Sequence, residues 1–465
     1  MKKYLAHFSL AALVALTALI LATGPQRRPG RKPETDAKAR MVERSDALAL
    51  ALTPPSGDTA ADREIRELQG KISGAANRTP FLERLGWAYV NSARLTNDPG
   101  FYKLAEACAT AIDESVSRSP DAALLRGHVY EALHRFGEAE KIARDLVAGR
   151  EFAFDYALLG DALMEQGRLT EAVDAYQKMV DLKPCLQTYS RIAHLRWLKG
   201  DLPGALEMAR VAGSSGTPRE PEATAWAFTR FGLYSLQIGD YAAASGASDL
   251  ALDLIPDFAP AQLLRGKIQG AQARTSEAVK SLEIAAQKNP MPEYLWALSD
   301  ALRADDRAVD AEKVDARIFA TGRVNDPRTF ALFLATRATD AATALELAQA
   351  ELSNRKDVFT RDALAWAQLQ NGDVEGAREN IALALAEGTQ DARLFYHAAA
   401  IAAASRDDLR ALEFSRKAGA IRQMLLPSER TALDRQVAAL SAHASVVSSR
   451  QSLSPRTTTN NERNK

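Results

Sequence analysis

The chain has 465 residues, 59 Lys and Arg against 59 Asp and Glu, aromatics at 7 % and only two cysteines. That length exceeds what one compact core can hold, yet no linker composition cuts the body into separate globular domains, so an architecture that grows by addition is favoured. Cys108 and Cys185 cannot build a disulfide framework. The zero net charge hides a gradient of +6 over residues 1–40, −9 over 41–440 and +3 over 441–465, and a mildly acidic body argues against a nucleic-acid surface.

Residues 1–24 open with Met1, Lys2 and Lys3 and run through apolar residues from Leu10 to Ala22 before Thr23 and Gly24. A charged start before such a run is a signal peptide or a membrane anchor. From Tyr4 to Thr23 the segment reaches the roughly 20 residues a bilayer requires, and Pro25 disfavours cleavage, so an uncleaved anchor is favoured. Arg27, Arg28, Arg31 and Lys32 follow the run and pull that flank towards the cytoplasm. A short basic amino terminus, in contrast, is how export signals begin. The expectation is a protein of the bacterial inner membrane, single-pass, or one exported to the periplasm, with the body outside the cytoplasm.

Residues 25–79 carry Pro25, Pro29, Gly30, Pro33, Pro54, Pro55 and Gly57 and read as a flexible linker with short helices. Residues 80–440 form the body, and 441–465 have too little apolar content to pack and read as a disordered tail.

The body is alanine-rich and poor in β-branched runs, which favours helix throughout. One alanine recurs at Ala139, Ala172, Ala205, Ala244, Ala278, Ala311, Ala344, Ala377 and Ala411, at intervals of 33 or 34 with one of 39. Twelve residues before it stands Gly127, Gly160, Gly232 or Gly266, with Ala193, Ser299, Ala365 or Ala399 in other units. Five before it stands Gly167, Gly200, Gly239 or Gly372, and Pro184, Pro256 and Pro290 follow it by twelve. The paired small residues mark where two antiparallel helices approach closely. Glycine turns the chain between them and proline ends the second. The apolar faces fit this: Tyr156, Leu159 and Leu163 on one helix, Val173, Tyr176 and Val180 on its partner.

This spacing resembles the tetratricopeptide repeat, a 34-residue helix-turn-helix unit. Residues 153–186 carry it most cleanly (Tyr156, Leu159, Gly160, Ala172, Tyr176, Pro184), followed by 225–258 (Phe228, Phe231, Gly232, Ala244, Ala251, Pro256). With a divergent first unit near 80–119, about ten units form an all-α superhelical solenoid. The turn glycine is kept in four units only. The unit at Ala344 strays furthest, with Leu332 at the small position and Thr339 at the turn, and six extra residues between Ser214 and Pro221 suggest a loop.

The resemblance implies that each first helix lines a concave wall. One inward row then reads His128, Asp161, His194, Leu233, Lys267, Asp300 and Trp366; a second includes Trp296, Asp362 and Tyr396, with Trp197 and Trp226 near the same wall. Mixed charge studded with rings suits an extended peptide or amphipathic segment of a protein partner, though aromatics at helical spacing also serve as gap-filling core. The Lys and Asn of relatives that grip chaperone carboxyl termini are replaced here by His, Asp, His and Leu, which argues against that role. His128, Asp161 and His194 occupy equivalent positions in successive units, too far apart to share a metal. No phosphate loop or nucleophile elbow appears. The expected function is therefore a non-enzymatic scaffold without cofactor or small-molecule substrate, in envelope assembly or secretion. A cytoplasmic-face adaptor tethering an enzyme or protease to the membrane comes second, and a helical enzyme third.

Overall fold

The computed structural model describes residues 46–452, with side chains as far as residue 442. The apolar segment, the first part of the linker and the last residues of the tail lie outside the described residues. Among the described residues there are helices and no strand, and no helix is long and apolar enough to cross a membrane.

A short helix α1 (46–51) and α2 (Ala60–Gly74) come first. Ten antiparallel pairs follow: α3–α4 (Thr79–Thr96, Gly100–Ser115), α5–α6 (Pro120–Ala132, Phe136–Gly149), α7–α8 (Ala153–Glu165, Leu169–Leu182), α9–α10 (Leu186–Leu198, Leu202–Ser214) and α11–α12 (Pro221–Gln237, Tyr241–Leu254) make units 1 to 5. Units 6 to 10 are α13–α14 (Ala259–Ala271, Thr275–Lys288), α15–α16 (Pro292–Ala304, Ala308–Asn325), α17–α18 (Pro327–Arg337, Ala341–Asn354), α19–α20 (Val358–Gln370, Val374–Leu385) and α21–α22 (Ala392–Ala404, Asp408–Ala420). A last helix, α23 (Pro427–Ser452), closes the array.

Two boundaries fall differently from the sequence reading. Residues 60–74 are no free linker, because Ile65, Leu68 and Ile72 are buried against α3 and Gln69 donates to the Tyr89 hydroxyl at 2.9 Å. A capping box between Thr59 and Asp62 starts that helix. Likewise α23 carries helix past residue 441.

Each unit is built as its spacing implies. All nine register alanines are buried, at 0 or 1 % exposure. A Cβ added at Gly160 would stand 2.3 Å from the Tyr176 ring, and one at Gly232 2.6 Å from Leu264, so neither position has room for a side chain. The turn needs a left-handed residue whether or not glycine supplies it. Gly167, Gly200, Gly239 and Gly372 have φ of 74 to 80°, and His134, Ala273, Asp306, Ala338 and Arg406 take 52 to 60° at the corresponding turns. Asp201, Asp240 and Asp373, each following a turn glycine, cap the second helix by accepting from the N–H three residues on. Pro120, Pro221, Pro292 and Pro327 open first helices, where the missing N–H costs nothing. Residues 215–220 form the expected loop.

The solenoid coils back on itself. Asn97 Nδ2 donates to the Lys288 carbonyl at 3.2 Å, 191 residues away. Arg355 Nε donates to Glu165 Oε2 at 2.9 Å, and the Lys356 N–H reaches the Glu165 carbonyl at 3.3 Å. Lys199 Nζ lies 2.7 Å from Glu387 Oε2, the Thr389 hydroxyl donates to the Leu198 carbonyl, and Gln423 Nε2 donates to the carbonyls of Gln237 (2.7 Å) and Leu236 (3.1 Å). At these contacts the turn of one unit meets the segment following the unit five further on. One coil rests on the other along a seam, and the concave side becomes an interior.

Candidate partner-binding interior

The inward rows read from the sequence prove to be joints between successive first helices. Asp161 on α7 accepts from Arg191 Nε on α9 at 2.6 and 2.8 Å and from the Tyr176 hydroxyl at 2.6 Å, with no exposure of its own. His194 Nδ1 lies 3.0 Å from Arg230 Nη2 on α11. His128 packs edge-on against Trp87, centroids 5.0 Å apart. On α19, Asp362 meets His397 Nδ1 of α21 at 2.8 Å, and Trp366 stacks on the His397 ring at 4.1 Å beside Tyr396. Asp300 pairs with Arg337 of α17 at 3.0 Å, Trp296 packs edge-on against Phe333, and Lys267 reaches Glu293 at 3.2 Å.

These side chains are therefore not displayed on an open wall. His128, Asp161, His194, Trp197, Trp226, Trp296, Asp300, Trp366 and Tyr396 are all buried, and Lys267 is half-buried. The physical reason is the tightness of the coil: a side chain on the inner side of a first helix meets a neighbouring first helix before it meets solvent. His128, Asp161 and His194 each belong to a separate joint. Burial, helped by Arg191, pushes His128 down to about 3, and burial with Arg230 holds His194 well below the ordinary histidine range. Both rings are neutral at physiological pH.

Trp197 lies at the seam. Its ring stacks on Phe359 of the opposite coil at 5.9 Å, and its indole N–H donates to Gln237 Oε1 at 2.8 Å. Gln237 in turn donates to the Gln390 carbonyl of that coil, so a first-coil indole is held against the second coil by Phe359 directly and by Gln390 through Gln237.

Between the coils lies a chamber of about 300 Å³. Units 1 to 3 form one side of it, and Glu222, Trp226, Phe258 and the end of unit 6 form the other. Its walls mix rings (Tyr102, Trp226, Phe258) with charged groups (Arg94, Glu222, Arg355). Burial raises the carboxyls of Glu131 and Glu222 above their usual range, and takes Glu165 to about 7 against the pull of Arg355. A cleft of about 710 Å³ lies where the turn of unit 2 faces the segments after units 7 and 8, and His134 and Phe136 line both cleft and chamber.

Of the sequence-predicted residues the chamber gathers His128 and Trp226 only. Arg94, Glu131, Glu165, Glu222 and Arg355 line it as well, and none of them belongs to the inward rows that the repeat spacing defines. The one available signal is Arg355, a basic residue closing α18 as Arg150 closes α6, and it does not name its partner 190 residues earlier.

The helix pairs, the packed small residues and the left-handed turns together define the unit. Residues 156–184 match the tetratricopeptide repeat. The matched segment lies within 153–186, where the pattern of this repeat is cleanest. No curated protein matches the chain. Among solved structures, the chain is similar to the human IFIT1 dimer with m7Gppp-AAAA at 14 % identity, with 70 % of this chain and 76 % of that one covered and a TM-score of 0.46. It is similar to the Cut9–Hcn1 hetero-tetramer of the APC/C (13 %, 86 % and 94 %, 0.35) and to PilF of Pseudomonas aeruginosa (17 %, 50 % and 97 %, 0.37). Among the described residues no group of three or more His, Cys, Asp and Glu side chains is arranged to hold a metal.

Proposed function

We propose that the protein is a non-catalytic scaffold that holds a segment of a protein partner in the interior between its two coils. The observation that carries this reading is the chamber, in which Tyr102, Trp226 and Phe258 stand among Arg94, Glu222 and Arg355. Rigid rings interleaved with charges give contact area at low entropic cost, with polar groups to fix orientation. A volume of about 300 Å³ takes a few side chains and excludes a globular partner. On this reading the ligand is a peptide segment of a protein.

Photo-crosslinking from position 102 in cells identifies the bound protein. Tyr102→Ala with Trp226→Ala should weaken its binding by about tenfold or more, as expected when two ring anchors are removed. Because both rings are buried in the core, the double variant should also melt lower, so binding is compared below that melt, with hydrogen exchange showing that the repeats are folded. Unaltered binding by a folded double variant would sink the reading.

The place of action we propose is the outer face of a bacterial inner membrane or the periplasm, with residues 4–23 as the tether and a role in envelope assembly or secretion. The support is the apolar run from Leu10 to Ala22 after Lys2 and Lys3. A carboxyl-terminal reporter fusion active only outside the cytoplasm tests it. Activity of a reporter that works only inside would favour the cytoplasmic-face adaptor, for which Arg27, Arg28, Arg31 and Lys32 speak.

A further inference from the structure

Part of the interior is already filled, and the filling is the chain's own last helix. Residues 425–433 lie against the inner sides of α15 and α21, with Leu425, Leu426, Glu429 and Leu433 buried. Leu426 stands at the cap position of α23 and has no side-chain oxygen to accept from the first N–H groups. Asp300 of α15 does this instead, its Oδ2 accepting from the Ser428 N–H at 2.8 Å while Oδ1 is held by Arg337. Glu429, third residue of the helix, accepts from the Leu426 N–H at 2.8 Å and from Arg393 Nε at 2.5 Å. Burial alone would raise that carboxyl, but Arg393 and the Leu426 N–H hold it below its ordinary value. The Arg393 guanidinium lies over the Trp296 ring at 4.7 Å. The wall thus presents a cap, Asp300, and a cation, Arg393, to a helix start, with the Trp296 ring behind the cation.

The resident helix fits this wall imperfectly. Trp296 Nε1 and Arg337 Nε on the wall, and Gln436 Nε2 on the helix, are buried with no hydrogen-bond partner among the described residues. A cavity of about 210 Å³, lined by Lys267, Gly270, Met424, Leu426 and Arg430, remains between the start of α23 and the first helix of unit 6. Each orphaned donor carries a desolvation cost that a ligand offering an acceptor there would remove.

We propose that the wall formed by α15, α17 and α21 is a docking site for the amino-terminal turn of a helix of a protein partner, and that α23 is its resident competitor. The partner helix has apolar residues just ahead of its start and a carboxylate at its third position. It carries hydrogen-bond acceptors in its first two turns for Trp296 and Arg337. The proposal rests on the scaffold reading but uses a different part of the interior from the chamber. Loss of binding in the Tyr102 and Trp226 variants with an inert wall would keep that reading and discard this one.

The test uses the full chain and a fluorescent peptide of residues 421–442, read by anisotropy. Glu429→Ala in the chain weakens the resident helix, and the wild-type peptide should then bind about tenfold or more tightly than it binds the wild-type chain, the change expected from removing one charged anchor of the competitor. Adding Arg393→Ala should abolish the gain, as should a peptide bearing the same Glu429→Ala change. Hydrogen exchange of α7 and α8 reports that the variant is folded. If Glu429→Ala fails to fold, Asp300→Asn in the chain is used, with the prediction reversed: the wall loses its cap and the peptide must bind no better than to wild type. Equal peptide binding by the wild-type, Glu429→Ala and doubly substituted chains would overturn the proposal, as would a gain in Asp300→Asn.

Discussion

The turns at Gly167 and Gly372 have nearly the same backbone, with φ of 74 and 80°, and each joins the two helices of a unit. A Cβ at Gly372 would meet nothing within 4 Å, whereas one at Gly167 would stand 2.3 Å from the Lys356 carbonyl oxygen of the opposite coil. Gly200 repeats the second situation against the Gly388 carbonyl at 2.4 Å. The same residue thus serves the unit in unit 9 and serves both the unit and the seam in units 3 and 4. Local repetition sets the turn, and only the return of the chain 190 residues later adds the second requirement.

The largest effect that bears on this contrast should come from the ion pair beside Gly167. Glu165→Ala leaves Arg355 buried beside Phe136 with its chief charge partner removed, and should cost about 3–5 kcal/mol. Urea unfolding measures the loss, and small-angle scattering should show a larger radius as the coils part. An unchanged radius would mean that the seam holds without its charge pair.

A pH titration probes the inside of the same coil. The His128 ring is held near 3 in the folded chain against an ordinary 6.5, chiefly by burial, with Arg191 and Arg94 adding and Asp161 and Asp155 opposing. A base depressed in this way contributes stability that is present above pH 6.5 and is lost as pH falls from there towards 3. The loss is on the order of 3–5 kcal/mol across that window. His128→Gln should flatten this acid limb in melts between pH 7 and 4. A limb of the same slope would show that the ring is hydrated.

Smaller effects come from the two glycines compared above. Gly167→Ala should cost about 2–4 kcal/mol, from left-handed strain plus the carbonyl clash, while Gly372→Ala carries the strain alone at about 1–2 kcal/mol. Equal losses in calorimetry would place the seam elsewhere. Between units, Ala172→Leu should overpack its helix pair by roughly 1–3 kcal/mol. Ala344→Leu should cost about as much, because Ala344 is fully buried despite Leu332 at the small position of its unit. A tolerated Ala344→Leu would show that the divergent unit is loosely packed.

The divergent units explain how much of the fold could be read. Ala344 and its neighbours keep the helix pair because Leu332 is buried at the small position and Ala338 takes the left-handed turn, one residue earlier than the spacing placed it. In other units His134, Ala273, Asp306 and Arg406 do what glycine does elsewhere. The conformation outlasts the residue type, since strain of about 1–2 kcal/mol at one turn is small beside the burial of a whole helix face. For the same reason the linker reading stopped too late, at residue 79. The pair Pro54 and Pro55 masks the apolar spacing of Ile65, Leu68 and Ile72, which the structure packs onto α3.

The unit is legible in the residues alone: where each helix starts and turns, which alanine and glycine allow close approach, and that about ten such pairs stack. These follow from contacts within some 34 residues, and the repetition displays them nine times over. The closing of the superhelix, the burial of the inward rows as joints and the seating of α23 on the wall of the last units come from the assembled coil. Those outcomes depend on small rotations between successive units, summed over five of them. A residue such as Glu165 or Arg355 acquires its partner from that sum and from nothing near it in the chain.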